Sequence, residues 1–340
     1  MRSPPKPTAL VTGATGFIGS RLCQRLVAQG WHVRATVRAT SQVQRLSDLG
    51  IELVPCDLVT SALPAPALAD LEAVFHIAGL TTSANLKRLL EVNAQGTGNL
   101  VDGLLASAAR PVVVSVSSIA ASGPGRKPQI RTAAEPPKPV SRYGRSKLQG
   151  ERELQRLARH CPVSIVRPGL VFGPGDREGY RIVQAIAKTG LHFSPGWRSP
   201  PLSVIYVDDL VEILLRIFLQ GRRIDDPAKP LSDQGLYIAG RPDAYPTYRQ
   251  WGQMLATAMG RGVWVVPVPP VVARVVGWIA EQMKNGAFHT DKIREALVSS
   301  WAYQDPNLIA DLEFTFSDPL ESQLQQTIAW YREQGWLAWK

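Results

Sequence analysis

The chain has 340 residues, 45% of them hydrophobic and 19% charged, the balance of a folded globular protein and not of a disordered one. Its three cysteines, Cys23, Cys56 and Cys161, are too few and too widely spaced for a disulfide framework or a metal-ligand set, so no metal is expected and a reducing, cytoplasmic setting fits. The net charge is +10, but the densest basic run, Arg142 to His160, also carries Glu151 and Glu153 and lacks interleaved aromatics, so nucleic acid is not an expected partner.

The opening residues, MRSPPKP, lead straight into the first predicted strand and leave no apolar core for a signal peptide. From Thr8 to about Arg167, short apolar runs alternate with helical patterns. In order they are ALVTG, a helix over Phe17 to Gln29, HVRATV, IELVP, AVFHIA, a helix over Asn85 to Ala108, PVVVSVS, a helix over Tyr143 to His160, and VSIVRP. This rhythm predicts an α/β fold of the Rossmann type, a doubly wound parallel sheet with helices on both faces. Ser122 to Val140, rich in Pro and Gly, reads as a long loop at the sheet's carboxyl edge.

Beyond Arg167 the pattern becomes irregular: VIYVDDL, LYIAG and VWVVP predict short strands between helices, and Pro319 to Gln334 a last helix. The expected division is a Rossmann domain over 1–170, to which the chain returns around 204–240, and a smaller C-terminal substrate lobe mainly over 171–340. The longest uncharged apolar stretch, Val263 to Ala273, contains three prolines and falls short of the roughly 20 residues of a spanning helix. A helix over Val271 to Met283 fits a core or substrate-lid position better than a bilayer surface, which is the alternative. No internal repeat is apparent.

The first strand runs into Thr12-Gly13-Ala14-Thr15-Gly16-Phe17-Ile18-Gly19. Glycines at this spacing allow a tight turn, close approach of backbone N–H groups to a pyrophosphate, and close helix–strand packing; the helix N-terminus favours the anion. A dinucleotide site is therefore expected. The second strand ends in Arg38, and no Asp or Glu lies between Gly19 and Asp48. An acidic residue there would take the ribose hydroxyl of NAD, whereas Arg accommodates the extra phosphate of NADP. NADP(H) is favoured, and NAD(H) stays possible.

Tyr143 and Lys147 stand four apart in YGRSK, on one face of a predicted helix. A cation about 4 Å from a phenol, at an effective dielectric of about 20, is worth about 4 kcal/mol, which would bring a tyrosine with an ordinary pKa of about 10 towards working range. Ser117 and Ser118 close the fifth strand, where a hydroxyl can orient a substrate oxygen. Register favours Ser118, with Ser117 as the alternative.

With these residues in view, the chain resembles the extended short-chain dehydrogenases/reductases of the NAD-dependent epimerase/dehydratase superfamily. TGATGFIGS resembles the family's phosphate turn, which implies cofactor contacts at Gly13, Thr15, Gly16, Phe17, Ile18 and Gly19. The DL at Asp57 and Leu58 resembles its adenine contact, HIAG the strand beside the cofactor with Ala78 and Gly79, and EVNAQGT the following helix with Asn93. SVSSIAASG and YGRSK resemble the catalytic Ser, Tyr and Lys, here Ser118, Tyr143 and Lys147, the last two also touching the cofactor. VRPGLVFGPGD resembles the post-catalytic strand, implying contacts at Arg167 and Pro168, and VIYVDDL, with Asp208, a strand of the substrate lobe.

Within the superfamily, RATVRAT resembles the NADP-binding strand of dihydroflavonol reductase-like and 3β-hydroxysteroid dehydrogenase-like members. Nucleotide-sugar epimerases carry Asn where this chain has Leu170. The resemblance thus implies an NADP(H)-dependent oxidoreductase interconverting a secondary alcohol and a carbonyl on a small, apolar or weakly polar substrate. Its rivals are an NAD-dependent nucleotide-sugar epimerase or dehydratase, and a non-catalytic NADP-sensing or scaffold protein. It also implies a homodimer through the helices over Asn85 to Ala108 and Tyr143 to His160. Relatives diverge most over Pro174 to Ser203 and Val265 to Trp301.

Overall fold

The computed structural model describes residues 6–337 except 84, 127, 198, 230, 232–233, 283–289 and 317. Its first half alternates β1 (Thr8–Thr12), α1 (Phe17–Ala28), β2 (His32–Val37), α2 (Gln44–Asp48), β3 (Glu52–Pro55) and β4 (Ala73–His76). Then come α3 (Leu86–Leu90), a π-helical turn (Glu91–Gln95), α4 (Gly96–Leu105), β5 (Val112–Val116), α5 (Ile119–Ser122), α6 (Arg142–Gln155) and β6 (Val163–Pro168). β1, β4 and β6 are buried at every position. Helices cover both faces of the sheet, so the strands read as continuous apolar runs with no polar alternation.

The second half carries β7 (Leu170–Phe172), α7 (Arg177–Thr189), β8 (Leu191–Pro195), β9 (Val204–Tyr206), α8 (Val207–Gln220) and β10 (Leu236–Ala239). It ends with α9 (Tyr248–Ala258), β11 (Trp264–Val268), α10 (Pro270–Gln282), α11 (Thr290–Ala296), α12 (Pro306–Leu312) and α13 (Leu320–Glu333). The main sheet has seven strands in the order β10-β6-β5-β4-β1-β2-β3, all parallel. Sequence neighbours diverge at β1, which lies between β2 and β4. That switch point opens a crevice at the strands' carboxyl ends, where open α/β sheets bind ligands.

Several expectations change in detail. The helix expected over Tyr143 to His160 ends at Gln155, and turns carry the chain to His160. VIYVDDL divides into β9 and the start of α8, whose first turn holds Asp208 and Asp209, charges that suit a helix N-terminus. The C-terminal segment packs across the expected division at residue 170. Leu308, Leu312 and Phe314 are buried in the same core as α1 and α8, so this stretch belongs to the Rossmann half. The long loop is pinned: Gly125 bridges Ser300 and Arg131 bridges Tyr303, and buried Arg131 donates to the carbonyls of Ser122 at 2.7 Å and Gly123 at 2.9 Å.

α10 is not a core helix. Ala273 and Gly277 are its buried positions, while Val271, Val272, Val275, Val276, Trp278 and Ile279 are exposed; Met283, where the expected helix ended, lies outside the described residues. Among the described residues no helix is long and apolar enough to cross a membrane.

Candidate active site

The glycine turn connects β1 to α1. Gly13 has φ +71, and a Cβ there would lie 2.7 Å from the Ala78 nitrogen, so both the left-handed backbone and the approach of β4 require glycine. Gly19 faces the Gly13 carbonyl so closely that a Cβ would collide with it, which holds the helix against the turn. Gly16 caps α1 with no side-chain bond to the first turn and no acidic residue in it. Unpaired N–H groups and the positive helix end therefore converge beside exposed Thr15 and Gly16 and half-buried Phe17 and Ile18, a cradle fit for a pyrophosphate.

A buried polar chain fixes the floor of this crevice. The Thr12 hydroxyl accepts from the nitrogens of Ile77 at 3.2 Å and Ala78 at 3.1 Å, so its proton goes to His76 Nδ1 at 2.8 Å. His76 Nε2 then donates to Thr97 Oγ1 at 2.9 Å, which donates to the Asn93 carbonyl at 2.9 Å. Burial, aided by the Lys147 charge, pulls the His76 pKa down to about 3. A neutral imidazole with one tautomer is what this chain of bonds requires.

Of the residues expected near the adenosine, Arg38 is exposed at the end of β2 and forms no ion pair among the described residues. Asp57 lies in a turn, where its carboxylate accepts from the Val59 nitrogen at 3.0 Å; Leu58 is buried behind it. Gly79 is exposed, with the Asn93 amide and the Lys147 ammonium both within 3.4 Å of where its Cβ would stand.

Two of the expected cofactor contacts have protein partners of their own. Asn93 is buried, and its amide is spent on the Leu80 backbone at 2.7 and 2.9 Å and on Ser146 at 2.9 Å. It positions the loop after β4 against α6. Arg167 is fully enclosed, its guanidinium bonded to Glu151 at 2.8 and 2.5 Å and to Ser122 at 2.8 Å, so its side chain does not face the crevice. Pro168 ends β6 and is likewise buried.

Ser118, Tyr143 and Lys147 meet beyond the carboxyl end of β5. The Ser141 side chain accepts from the Gly144 nitrogen at 2.9 Å and caps α6, setting Tyr143 and Lys147 one turn apart. Lys147 donates to the Val116 carbonyl at 2.8 Å. The two serines have separate fates: buried Ser117 donates to Glu151 at 2.5 Å, whereas half-buried Ser118 caps α5 and its side chain bonds towards the Tyr143 phenol.

The electrostatics depart from the simple pairing expected of YGRSK. Burial raises the Tyr143 pKa above the ordinary phenol value; Ser118 lowers it, and the carboxylates of Glu295 and Glu178 raise it further. The same burial draws Lys147 down to about 8, against the charge of Glu151. Desolvation thus dominates both groups, and the Lys147 ammonium is turned to a backbone carbonyl. Without the cofactor, the tyrosine is a protonated acid.

The structure adds residues that sequence reasoning missed. Asp291 on α11 accepts from the nitrogens of Arg142 at 2.8 Å and Tyr143 at 3.1 Å, a second cap on α6. Lys292 places its ammonium 5.8 Å from the Tyr143 ring centroid, within cation–π range. Glu295, on the next turn, is held mainly neutralward by burial. Glu178 accepts from Thr81 at 2.9 Å and Thr82 at 3.4 Å, closing the crevice from α7. No motif marks these residues, although all four lie in the stretches expected to vary with substrate.

The family model described as the NAD dependent epimerase/dehydratase family matches residues 9–229. The chain belongs to this family. It is an NAD(P)-dependent enzyme of the extended short-chain dehydrogenase/reductase type. Ceramide reductase of Caulobacter vibrioides (strain NA1000 / CB15N) is 27% identical over 342 residues, covering 99% of this chain and 98% of the relative. Among solved structures, gox2253 superposes with a TM-score of 0.78 at 23% identity, over 98% of this chain and 100% of that one. MoeE5 in complex with UDP-glucose and NAD gives 0.73 at 23%, over 96% and 99%. These two likenesses establish the fold.

Proposed function

We propose that this enzyme is an NADP(H)-dependent oxidoreductase that interconverts a carbonyl and a secondary alcohol on an apolar or weakly polar substrate. The observation that carries the reading is the convergence of Ser118, Tyr143 and Lys147 beside a glycine cradle. Burial keeps Tyr143 protonated, the state a general acid needs when a carbonyl oxygen gains charge. Ser118 would hold that oxygen, and Tyr143 would donate its phenolic proton to it. Lys147 would bond the cofactor's ribose, and its charge, once turned from Val116, would stabilise the phenolate left when Tyr143 has given up its proton. The nicotinamide, when bound, supplies or accepts the hydride.

Exposed Arg38, without an acidic residue nearby on its strand, supports NADP(H) over NAD(H). Leu170 cannot hydrogen-bond a sugar nucleotide, and the relative matched along nearly the whole chain is named for reduction of ceramide, a lipid. The test is to incubate the purified enzyme with NADPH and a panel of sterol ketones, long-chain ketones, flavonoid-like ketones and nucleotide sugars. Stoichiometric NADPH consumption with an apolar ketone is expected. Tightly retained NAD, with nucleotide sugars interconverted and no net cofactor loss, would overturn the proposal.

A further inference from the structure

The helix α10 is built inside out. Its small residues, Ala273 and Gly277, face the protein, and its large apolar residues form the outer arc, with Val271 69% and Trp278 59% exposed. At about 100° per residue, Val271, Val275, Ile279, Val272 and Val276 fall within one contiguous arc of about 140°. The arc has Arg274 on its flank and no acidic residue within it.

The apolar surface continues into the small sheet that precedes the helix. β11 and β8 pair in parallel, with Val266 opposite Phe193, and Phe193 is exposed. Trp264 at the start of β11 is 80% exposed, and Trp197 follows β8. The Gly196 nitrogen donates to the Val268 carbonyl at 2.7 Å, which brings Trp197 to the start of α10. Isolated exposed apolar residues need no explanation, but a run of this length on a monomer marks an interaction face.

Charge selects the partner. Residues 179–207 and 244–280, which contain these apolar residues, carry no Asp or Glu, and Arg181, Lys188, Arg261 and Arg274 among them are exposed. Exposed side chains of one sign in the segments that carry the large apolar ones complement an anionic lipid surface, in which Trp and Val enter the headgroup boundary while Lys and Arg meet phosphates. A second copy of the chain would bring the same positive charges against themselves. The far end of α10 leads to the crevice, where Glu281 ion-pairs at 2.8 Å with Arg142, the neighbour of Tyr143.

We propose that α10 and the β8–β11 strip dock the enzyme onto an anionic membrane surface, with the mouth of its crevice towards the lipid. The binding stands independently of the catalytic reading.

The test is cosedimentation of the full chain with phosphatidylcholine vesicles, with and without phosphatidylglycerol, at low salt. The wild type should pellet with the anionic vesicles and much less with the neutral ones. Val271→Ser, Val275→Ser and Trp278→Ser combined should weaken binding at least about a hundredfold, with far-ultraviolet circular dichroism and melting midpoint unchanged. Lys188→Ala and Arg274→Ala keep the apolar arc and should each cost about fivefold on anionic vesicles only.

Absence of pelleting by the wild type, or equal pelleting by the triple variant, would overturn the inference. So would a dimer that the triple variant dissolves in the absence of vesicle binding, since a second copy would then be the occupant. Vesicle binding without ketone reduction would leave the docking surface standing and remove the proposed function instead.

Discussion

Burial raises the Tyr143 pKa, and the bond from Ser118 that lowers it does not offset the burial. Removing its hydroxyl should remove the acid and little else: Tyr143→Phe is expected to lower turnover about 10²- to 10⁴-fold, with NADPH affinity kept in a fluorescence titration. Lys147 gives a prediction in pH. Burial lowers its pKa to about 8 from the ordinary 10.5, so the charged form is penalised in the folded chain at neutral pH. Between those two values the unfolded chain still holds a proton that the folded one has released, and folding gains from rising pH there. The melting midpoint of the wild type relative to Lys147→Met should therefore climb from about pH 7 to about pH 10, and a flat difference would refute the burial argument. Arg38→Ala should weaken NADPH by about tenfold or more, the worth of a charge-assisted bond, and barely touch NADH. The glycine turn and YGRSK were legible because their chemistry lies in consecutive residues. Asp291, Lys292 and Glu295 were not, since tertiary packing alone brings α11 onto Tyr143.

Secondary structure was legible where period and burial agree. The strands of the main sheet and α1 stand out because helices cover both faces, whereas β7 and β8 span three and five residues and leave little pattern. α10 has the period of an amphipathic helix, but period alone does not say which side faces the protein. Asp291 joins α11 to the start of α6 by accepting two backbone protons; Asp291→Ala should cost about 1–2 kcal/mol in denaturant unfolding, the range of a lost helix cap. Turnover should fall with it while NADPH affinity holds, because α6 carries Tyr143. Glu151 joins α6 to β6 by pairing Arg167, and both side chains are at most 1% exposed. Glu151→Ala leaves a buried guanidinium without its partner and should destabilise by about 3–5 kcal/mol. The double substitution Glu151→Leu with Arg167→Met should recover most of that loss if the penalty is the stranded charge.

At the scale of the molecule, the two halves are interleaved. The loop after α5 bridges residues 300 and 303 of the C-terminal stretch, and Leu202 bridges Trp301. Asp305 accepts from the Ile238 nitrogen at 2.8 Å in the edge strand β10. α12 follows at once, burying Leu308 and Leu312, while Asp311 holds Arg222 at 2.5 Å and the Tyr237 hydroxyl at 3.0 Å. The faces of α4 and α6, by contrast, expose no large apolar side chain among the described residues, and Arg156 bridges Asp102 at 2.7 Å there. A homodimer through that face, as the family resemblance implies, would rest on polar contacts and should dissociate as salt is raised in sedimentation velocity. The interleaving makes the stronger prediction. Because the last strand of the Rossmann sheet is covered and hydrogen-bonded by residues that follow the substrate lobe, neither half has a complete core without the other. Thermal unfolding should be one cooperative transition, and a chain ending before Asp305 should lose the fold of the Rossmann half as well as that of the lobe. Calorimetry showing two separated transitions, or a truncated chain that still binds NADPH, would establish instead that the halves fold independently.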